Sequence, residues 1–113
     1  VIPVKRGKIE AYRKIARKAA RLWKEYGALD YKECVADHNP RSKYCTTFPR
    51  AFRSKAGEVV IFSYIVYRSR AHRDTVNKKI MKDPRLHAMC KPEDMPFDCR
   101  RMAYGGFKEI AGL

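Results

Sequence analysis

The chain has 113 residues, 45% of them hydrophobic, which fits one globular domain with a single core and excludes a disordered protein. Lysine and arginine total 26 against 12 acidic residues, so the formal net charge is +14; this predicts attraction to nucleic acid, anionic membranes or acidic ligands, or only a well-solvated surface. No apolar run approaches the roughly 18 residues of a membrane span, so we expect no membrane-spanning segment.

The first third of the chain predicts a strand, a helix and a second strand. Residues 1–4 are typical of the end of a strand, and we expect a few further residues before them in the full gene product. Residues 8–26 repeat apolar side chains at helical spacing, and Gly27 is a natural helix terminator. Residues 28–36 alternate apolar and polar side chains, which predicts a strand.

The middle of the chain contains the strongest strand signal. Residues 37–42 are rich in turn formers and predict a loop. We expect a short, irregular edge piece at residues 46–53, because Pro49 cannot donate to a strand ladder. After a turn, residues 58–67 (EVVIFSYIVY) are apolar on both faces, which indicates a strand that must be covered on both sides.

The last third predicts two helices and a final strand. A helix is expected from Ser69 or Arg70 to about Lys82, and a shorter one follows to about Cys90, with Asp83 as its N-cap and Pro84 at its first position. Residues 91–100 predict a loop. Residues 101–108 predict the last strand, in which Gly105 and Gly106 indicate a bulge or a close backbone approach.

The resulting order is β-α-β-β-α-β, so we predict a single α+β domain over residues 1–113 with an antiparallel sheet and both main helices on one face. Two helices can cover only one face of the sheet. Val60, Phe62, Tyr64 and Val66 form the other apolar face, and single domains rarely leave such a patch in water. We therefore expect a homodimer in which a second copy covers that face, the alternative being a monomer shielded by residues 37–57.

Several stretches resemble one known family. They are Gly27-Ala28-Leu29, Glu33-Cys34 with Asp37, Asn77 with Met81, Asp83-Pro84-Arg85, Met95-Pro96-Phe97-Asp98, and residues 101–107 (RMAYGGF). Together they cover nearly the whole chain and are similar to the YbaA-like family of small uncharacterised bacterial proteins. The resemblance implies a ferredoxin-like fold that assembles into a dimeric α/β barrel, and it implies no established activity. Cys99 stands where that family usually has glycine.

Four residues are candidates for chemistry. Asp98, Arg101 and Tyr104 fall close together at the entry to the last predicted strand, where a carboxylate, a guanidinium and a phenol could bind an anionic or carbonyl-bearing ligand. The structural alternative is that Asp98 caps a turn and Arg101 forms an ion pair. Glu33 shares the apolar side of its strand, where an acid is expected either to be paired, with Arg101 or an arginine of a partner copy, or to carry a raised pKa suited to proton transfer. The structural alternative is a glutamate at the strand edge in water.

Two weaker ligand-binding candidates and one basic stripe complete the set. Asn77 is expected to bond the loop before the last strand, and Arg85 to pin the short helix together with Asp83. The first helix carries five cations on the side opposite its apolar stripe: Lys14, Arg17, Lys18, Arg21 and Lys24. Without interleaved aromatic residues, such a stripe predicts non-specific phosphate contact if nucleic acid is bound at all.

The cysteines and histidines predict no metal site. Cys34, Cys45, Cys90 and Cys99 form no C-x-x-C pair, so we expect reduced thiols in a cytoplasmic protein rather than zinc ligands or disulfides. His38, His72 and His87 lie in three separate elements and are interpreted as surface residues. We expect no cofactor. The leading hypothesis is a small-ligand-binding or accessory protein with an anionic ligand; the alternatives are a cofactor-independent oxygenase or isomerase and a non-specific nucleic-acid-associated protein.

Overall fold

The computed structural model describes all of residues 1–113 and has a mixed α/β architecture built on one antiparallel sheet. The three strands lie in the order β1-β3-β2: β1 (Ile2–Lys5), β2 (Asp30–Val35) and β3 (Glu58–Val66). Four α-helices complete the fold: α1 (Ile9–Glu25), α2 (Phe48–Ala51), α3 (Arg70–Met81) and α4 (Pro84–Met89). None of the helices combines the length and apolar composition that crossing a bilayer requires.

Helix α1 forms as its apolar periodicity predicts. Ala16, Ala19 and Leu22 are buried on one side, while the polar side faces solvent. The helix ends at Glu25, and Gly27 follows with a φ of 102°, a conformation that glycine adopts without the steric penalty of a Cβ. The turn after this glycine directs the chain into β2.

Two apolar clusters form the core on the helix side of the sheet. The first joins α1, α3 and α4 through Leu22, Val76, Ile80 and Leu86, of which Ile80 is fully buried. The second lies on the sheet, where Ile2, Val4 and Ile61 pack together beneath Ile9, Tyr12 and Phe97. Val76 and Ile80 are the buried residues of α3.

The strand register separates a helix face from an open face. Glu33 lies opposite Ser63, and Tyr31 opposite Ile65, on the face that α1 covers. On the other face, Phe62 is 46% exposed, Tyr64 41% and Val66 39%. The apolar face that was predicted to lack cover is therefore present, because the helices of this chain leave Phe62, Tyr64 and Val66 partly exposed to solvent.

Residues 37–57 shield only the beginning of the open face. The expected irregular edge piece at 46–53 was wrong in form: Thr47 caps a single helical turn, α2, and accepts the N–H of Arg50. Pro49 fits this turn because the first N–H groups of a helix need no intrahelical acceptor. Phe48 and Val60 line a common cavity beside Phe62. Residues 37–57 therefore shield Val60, which is buried, but they do not shield the open-face residues later in β3.

Helices α3 and α4 begin at the predicted positions, each with a side-chain cap. The Ser69 hydroxyl accepts the N–H of His72 at 3.0 Å, and the Asp83 carboxylate accepts the N–H of Arg85 at 2.8 Å. Asp83 also accepts the hydroxyl of Tyr26 at 2.6 Å, which ties α4 to the end of α1. These local interactions set both helix starts, as the sequence pattern predicts.

The predicted last strand at 101–108 is not formed within this chain. Residues 99–101 make a 3-10 turn, and only Ala103 pairs with the sheet, through reciprocal backbone bonds to Val1 of 2.8 and 2.9 Å. Beyond Ala103 no backbone group of the segment bonds to a strand, because β1 extends no further alongside it. A strand requires a neighbour, and local sequence pattern alone does not supply one.

Candidate functional site

Glu33 is the centre of a polar cluster between α1 and the sheet. Its carboxylate accepts the hydroxyl of Tyr12 at 2.6 Å, that of Tyr31 at 2.7 Å, and the hydroxyl of Ser63. Tyr12 comes from α1, Tyr31 from the same strand as Glu33, and Ser63 from the opposite position on β3. We call these four residues the Glu33 cluster. The expected pairing of Glu33 with Arg101 was wrong, since three hydroxyl donors replace an arginine.

The two phenols of the cluster remain protonated at physiological pH. Burial raises the pKa of Tyr12, and the hydrogen bond to Glu33 raises it further. Burial and the charge of Glu33 likewise raise the pKa of Tyr31. Both hydroxyls therefore act as donors to the carboxylate, which satisfies a charged group in a part-buried position without a countercharge.

A cleft of about 260 Å³ opens beside this cluster along the free edge of β2. Its apolar wall is formed by Ile9, Ala16, Ala20 and Ile61, and Tyr12, Tyr31 and Glu33 contribute the polar part. Arg13, Arg17 and Lys32 stand among the residues that border it. The cleft thus combines a small apolar floor, hydroxyl and carboxylate groups, and a cationic border, a composition suited to a small ligand.

The three cations at the border of the cleft differ in whether an acidic side chain already pairs with them. Arg13 pairs with Glu10 at 2.9 Å, and Lys32 pairs with Asp30. Arg17 is exposed and forms no ion pair. The guanidinium of Arg17 is therefore the border group free to bind an anion.

A second cavity, of about 290 Å³, lies on the open face under α2. It is lined mainly by apolar groups, with Phe48, Val60 and Phe62 on one side and Cys34, His38 and Asn39 on the other. It is similar in size to the cleft at Glu33, but it is lined by no carboxylate and no bonded polar cluster. We therefore place the candidate site at the Glu33 cleft.

The grouping of Asp98, Arg101 and Tyr104 as a ligand site is not supported by their positions. Asp98 caps the 3-10 turn by accepting the N–H of Arg100 at 3.0 Å, and its carboxylate pairs with the Arg100 side chain. Arg101 turns away to Glu58, with Nη–O distances of 2.6 and 2.8 Å. Tyr104 is 86% exposed. The structural alternative, a capping aspartate and an ion-paired Arg101, is confirmed in geometry.

The two weaker candidates also have structural partners. Asn77 does not bond the loop before the last predicted strand; its Oδ1 accepts the Trp23 indole N–H at 3.3 Å and the Tyr67 hydroxyl at 2.9 Å. Arg85 pairs with Asp83, as expected, and also with Glu25 at 2.8 Å. Neither residue lines either of the two cavities described above.

The basic stripe is exposed along α1 as predicted. All five of its residues are exposed, and none forms an ion pair: Lys14, Arg17, Lys18, Arg21 and Lys24. No three His, Cys, Asp or Glu side chains lie close enough together to hold a metal ion. The four cysteines are unpaired and exposed.

Sequence reasoning identified Glu33 and missed its partners. Tyr31 was detectable, since it is two residues before Glu33 and shares its strand face. Ser63 was detectable only from the strand register, and Tyr12 only from the packing of α1 on β2.

Comparison with known proteins finds a matching family and similar chains. The profile of the family described as "Protein of unknown function (DUF1428)" matches residues 1–99. The "Uncharacterized protein YbaA" of Escherichia coli strain K12 is 46% identical over 110 residues, which cover 97% of this chain and 92% of that protein. The protein of the same description from Shigella flexneri shows the same identity and coverage.

Proposed function

This chain belongs to the DUF1428 family of proteins of unknown function, and we propose that it is a homodimeric protein that binds a small anion with an apolar part in the Glu33 cleft. The single observation that carries the proposal is the free guanidinium of Arg17 at the border of a cleft whose floor is apolar. An anionic head would meet Arg17, while a short hydrocarbon or aromatic body would displace water from Ala16, Ala20 and Ile61.

The state of Glu33 favours binding over catalysis. A general base needs a lone pair directed at the proton that it removes. The Glu33 carboxylate already accepts three hydroxyls, and those donors hold it in place. Its role in the proposal is to orient the Tyr12 and Tyr31 rings that shape the cleft. The oxygenase or isomerase alternative is therefore less well supported by this geometry.

Ligand binding can be tested by thermal shift with matched pairs of charged and uncharged compounds. Hexanoate and benzoate should raise the melting temperature, whereas hexanol and benzyl alcohol should do so less. Arg17→Gln should weaken carboxylate binding about tenfold, the equivalent of one charge-assisted contact of about 1.4 kcal/mol. Arg21→Gln is the matched control, because Arg21 is an exposed arginine of α1 that does not border the cleft. Equal effects of the two variants would contradict the proposal.

The open face supports the homodimer. Phe62, Tyr64 and Val66 remain partly exposed on the central strand. A second copy offers the same apolar face, so a two-fold axis would cover both patches at once. The β1-β3-β2 order and the helices on one face fit the ferredoxin-like plan, and two such sheets packed face to face would form the dimeric α/β barrel.

Sedimentation at micromolar concentration tests the assembly. The chain should sediment as a dimer, and Tyr64→Glu should convert it to a monomer by placing an unpaired charge in the interface. Tyr44→Glu is the control, because Tyr44 is an exposed tyrosine that belongs to no strand. A monomer across the concentration range, or a Tyr64→Glu variant that is still a dimer, would refute this part of the proposal.

A second candidate function rests on the basic stripe of α1. Five exposed cations without ion pairs favour contact with phosphates. Such binding would not depend on the nucleotide sequence, and it would weaken steeply as the salt concentration rises. Binding of a duplex oligonucleotide at about 50 mM salt should be lost by about 200 mM. The Lys18→Gln variant separates this activity from the cleft, since Lys18 belongs to the stripe and does not line the cleft. No binding at the lower salt concentration would leave the stripe as a solvated surface.

A further inference from the structure

Residues 104–113 form an arm that makes no backbone hydrogen bond with the rest of the chain. Residues 102–109 contain no helix, turn or bend, so the backbone groups of the arm are not paired locally either. Tyr104, Phe107 and Ile110 are almost fully exposed along the arm. Unpaired backbone beside large, exposed apolar side chains is typical of a segment whose neighbour is another chain.

The pairing of Ala103 with Val1 determines which backbone groups of the arm face outwards. These two residues exchange backbone bonds of 2.8 and 2.9 Å, so the N–H and C=O of Ala103 point towards β1. Alternation along an extended chain turns the backbone groups of the even-numbered residues the other way. The N–H and C=O of Tyr104, Gly106 and Lys108 therefore face away from β1, along the outer edge of the sheet.

The side chains of the arm divide between the two faces of the sheet. Arg73 of α3 lies so close to Gly106 that a Cβ there would touch its guanidinium. Because α3 packs with α1 on the helix side of the sheet, the side-chain position of Gly106 is on that side. Tyr104 and Lys108 share this face by two-residue alternation, and Phe107 is directed to the open face.

The free edge of β2 offers a complementary row of backbone groups. The hydrogen-bonded pairing with β3 turns the odd-numbered residues of β2 outwards. The Asp30 carboxylate accepts the N–H of Tyr31 at 2.9 Å, and no strand lies beside the outward groups of Glu33 and Val35. The Glu33 cleft is lined by these same residues of β2, so whatever pairs with the edge also borders the cleft.

A two-fold axis parallel to the strands would bring these two edges together. The arm lies at one edge of the sheet, next to β1, and β2 lies at the other. Rotation about such an axis reverses the order of the strands and places the arm of one copy beside β2 of the other. The rotation keeps the strand direction. Since β1 and β2 are both antiparallel to β3, the arm is antiparallel to β2 just as it is to β1.

We propose that the arm of each copy pairs with β2 of the other and forms the outer wall of the Glu33 cleft, which rests on the homodimer and the ligand site proposed above. This pairing adds a strand at the edge, the geometry by which extended segments bind exposed sheet edges. The partner subunit's Tyr104 and the partner subunit's Lys108 then lie on the same face as Glu33. An anionic ligand is held between Arg17 of one copy and Lys108 of the partner subunit, so neither chain alone has a complete site.

The size of the arm favours a second copy as the occupant of this edge. Tyr104 and Phe107 are aromatic residues, which can bury about 150–250 Å² each. Two arms thus supply about 600–1,000 Å² of the roughly 1,200–2,000 Å² that a specific interface buries, and the open faces supply the remainder. Because the arm and the edge belong to the same chain, one two-fold interface pairs both of them twice.

Amide hydrogen exchange tests the pairing at a concentration where the wild-type protein sediments as a dimer. The amides of Glu33 and Val35 should exchange at least about 100-fold more slowly in this dimer than in the monomeric Tyr64→Glu variant. Gly106→Pro removes an outward N–H of the arm and should abolish the protection. Gly105→Pro is the matched control and should retain it, because the N–H of Gly105 faces the β1 side.

The outcomes separate the arm from the dimer. A wild-type dimer in which the amides of Glu33 and Val35 exchange freely would overturn the proposed pairing and leave the homodimer standing. Equal loss of protection, or no loss, in the two proline variants would also overturn it, since the outer edge of the arm would then not be the bonded one. A wild-type protein that is monomeric at every concentration would refute the homodimer and the pairing together.

Benzoate binding tests whether the arm completes the ligand site. Lys108→Gln should weaken it about tenfold, as the loss of one charge-assisted contact does. Lys79→Gln is the control and should have no effect, because Lys79 is an exposed lysine of α3 that lines neither cavity. Weaker binding in Arg17→Gln but not in Lys108→Gln would overturn the role of the arm and keep the ligand site. Unchanged binding in both variants would refute the ligand site itself, and the role of the arm with it.

Discussion

Replacing Arg101 by methionine tests whether this residue stabilises the fold or serves a ligand. Its guanidinium makes two bonds to Glu58, of 2.6 and 2.8 Å, and a third to the Arg53 carbonyl at 3.1 Å. The Glu58 side chain is only 7% exposed and that of Arg101 25%. Removing one partner of a buried pair costs about 3–5 kcal/mol, and the partial exposure of Arg101 reduces this to about 2 kcal/mol.

The pH dependence of this loss identifies the partner. The bonds from Arg101, together with the backbone N–H of Lys55, lower the pKa of Glu58 to about 2. Because the folded-state pKa lies below the unfolded one, the stabilisation is complete above about pH 4.5 and is lost as the pH falls towards 2. The difference between wild type and Arg101→Met should therefore shrink below pH 4.5.

Urea unfolding followed by circular dichroism at several pH values measures the effect. Arg100→Met is the matched control: the neighbouring arginine pairs with Asp98, but its side chain is 90% exposed, so its loss should leave the free energy of unfolding nearly unchanged. A loss at Arg101 no larger than at Arg100, or one that stays constant down to pH 3, would refute the assignment of Arg101 to a structural ion pair.

Three further predictions follow from the polar contacts of the core. The free energy of unfolding should fall as the pH rises above about 10, because the folded state raises the pKa of the phenols of Tyr12 and Tyr31 and keeps them protonated. Replacing both residues by phenylalanine should make the free energy of unfolding less dependent on pH in this alkaline range. Asp83→Asn should cost about 2 kcal/mol in urea unfolding, since it removes the charge that accepts the Tyr26 hydroxyl and the Arg85 side chain; a change below 0.5 kcal/mol would contradict this. Ser69→Ala should cost about 1 kcal/mol by the same measurement, through the lost cap of α3, and Ser69→Asp should retain most of the stability.

The elements whose cause is local were predictable from the sequence. Each of these signals determines the structure of residues within a few positions of its own. They are the apolar stripe of α1, the glycine after it, the caps Ser69 and Asp83, and the apolar run of β3. The exposed side of β3 was predictable for the same reason, since two-residue alternation assigns side chains to faces before any packing is known.

The site was less predictable because its contacts join distant parts of the chain. Glu33 was singled out, but the choice among Arg101, a partner arginine and hydroxyl donors depends on how α1 and β3 approach β2. Arg101 pairs with Glu58, which is 43 residues away, so sequence proximity to Asp98 misled the expectation. The last strand failed for a related reason: residues 101–108 have the right pattern, but hydrogen-bonding neighbours are not encoded within the segment that needs them.

The position of Trp23 has a practical consequence for all of these measurements. It is the single tryptophan of the chain, and its indole donates to Tyr67 and Asn77, so one chromophore contacts the residue that follows β3 and the middle of α3. Its emission spectrum should shift to longer wavelength when either element separates from α1. Intrinsic fluorescence therefore offers a label-free signal at the junction of sheet and helices, and one that needs no engineered probe.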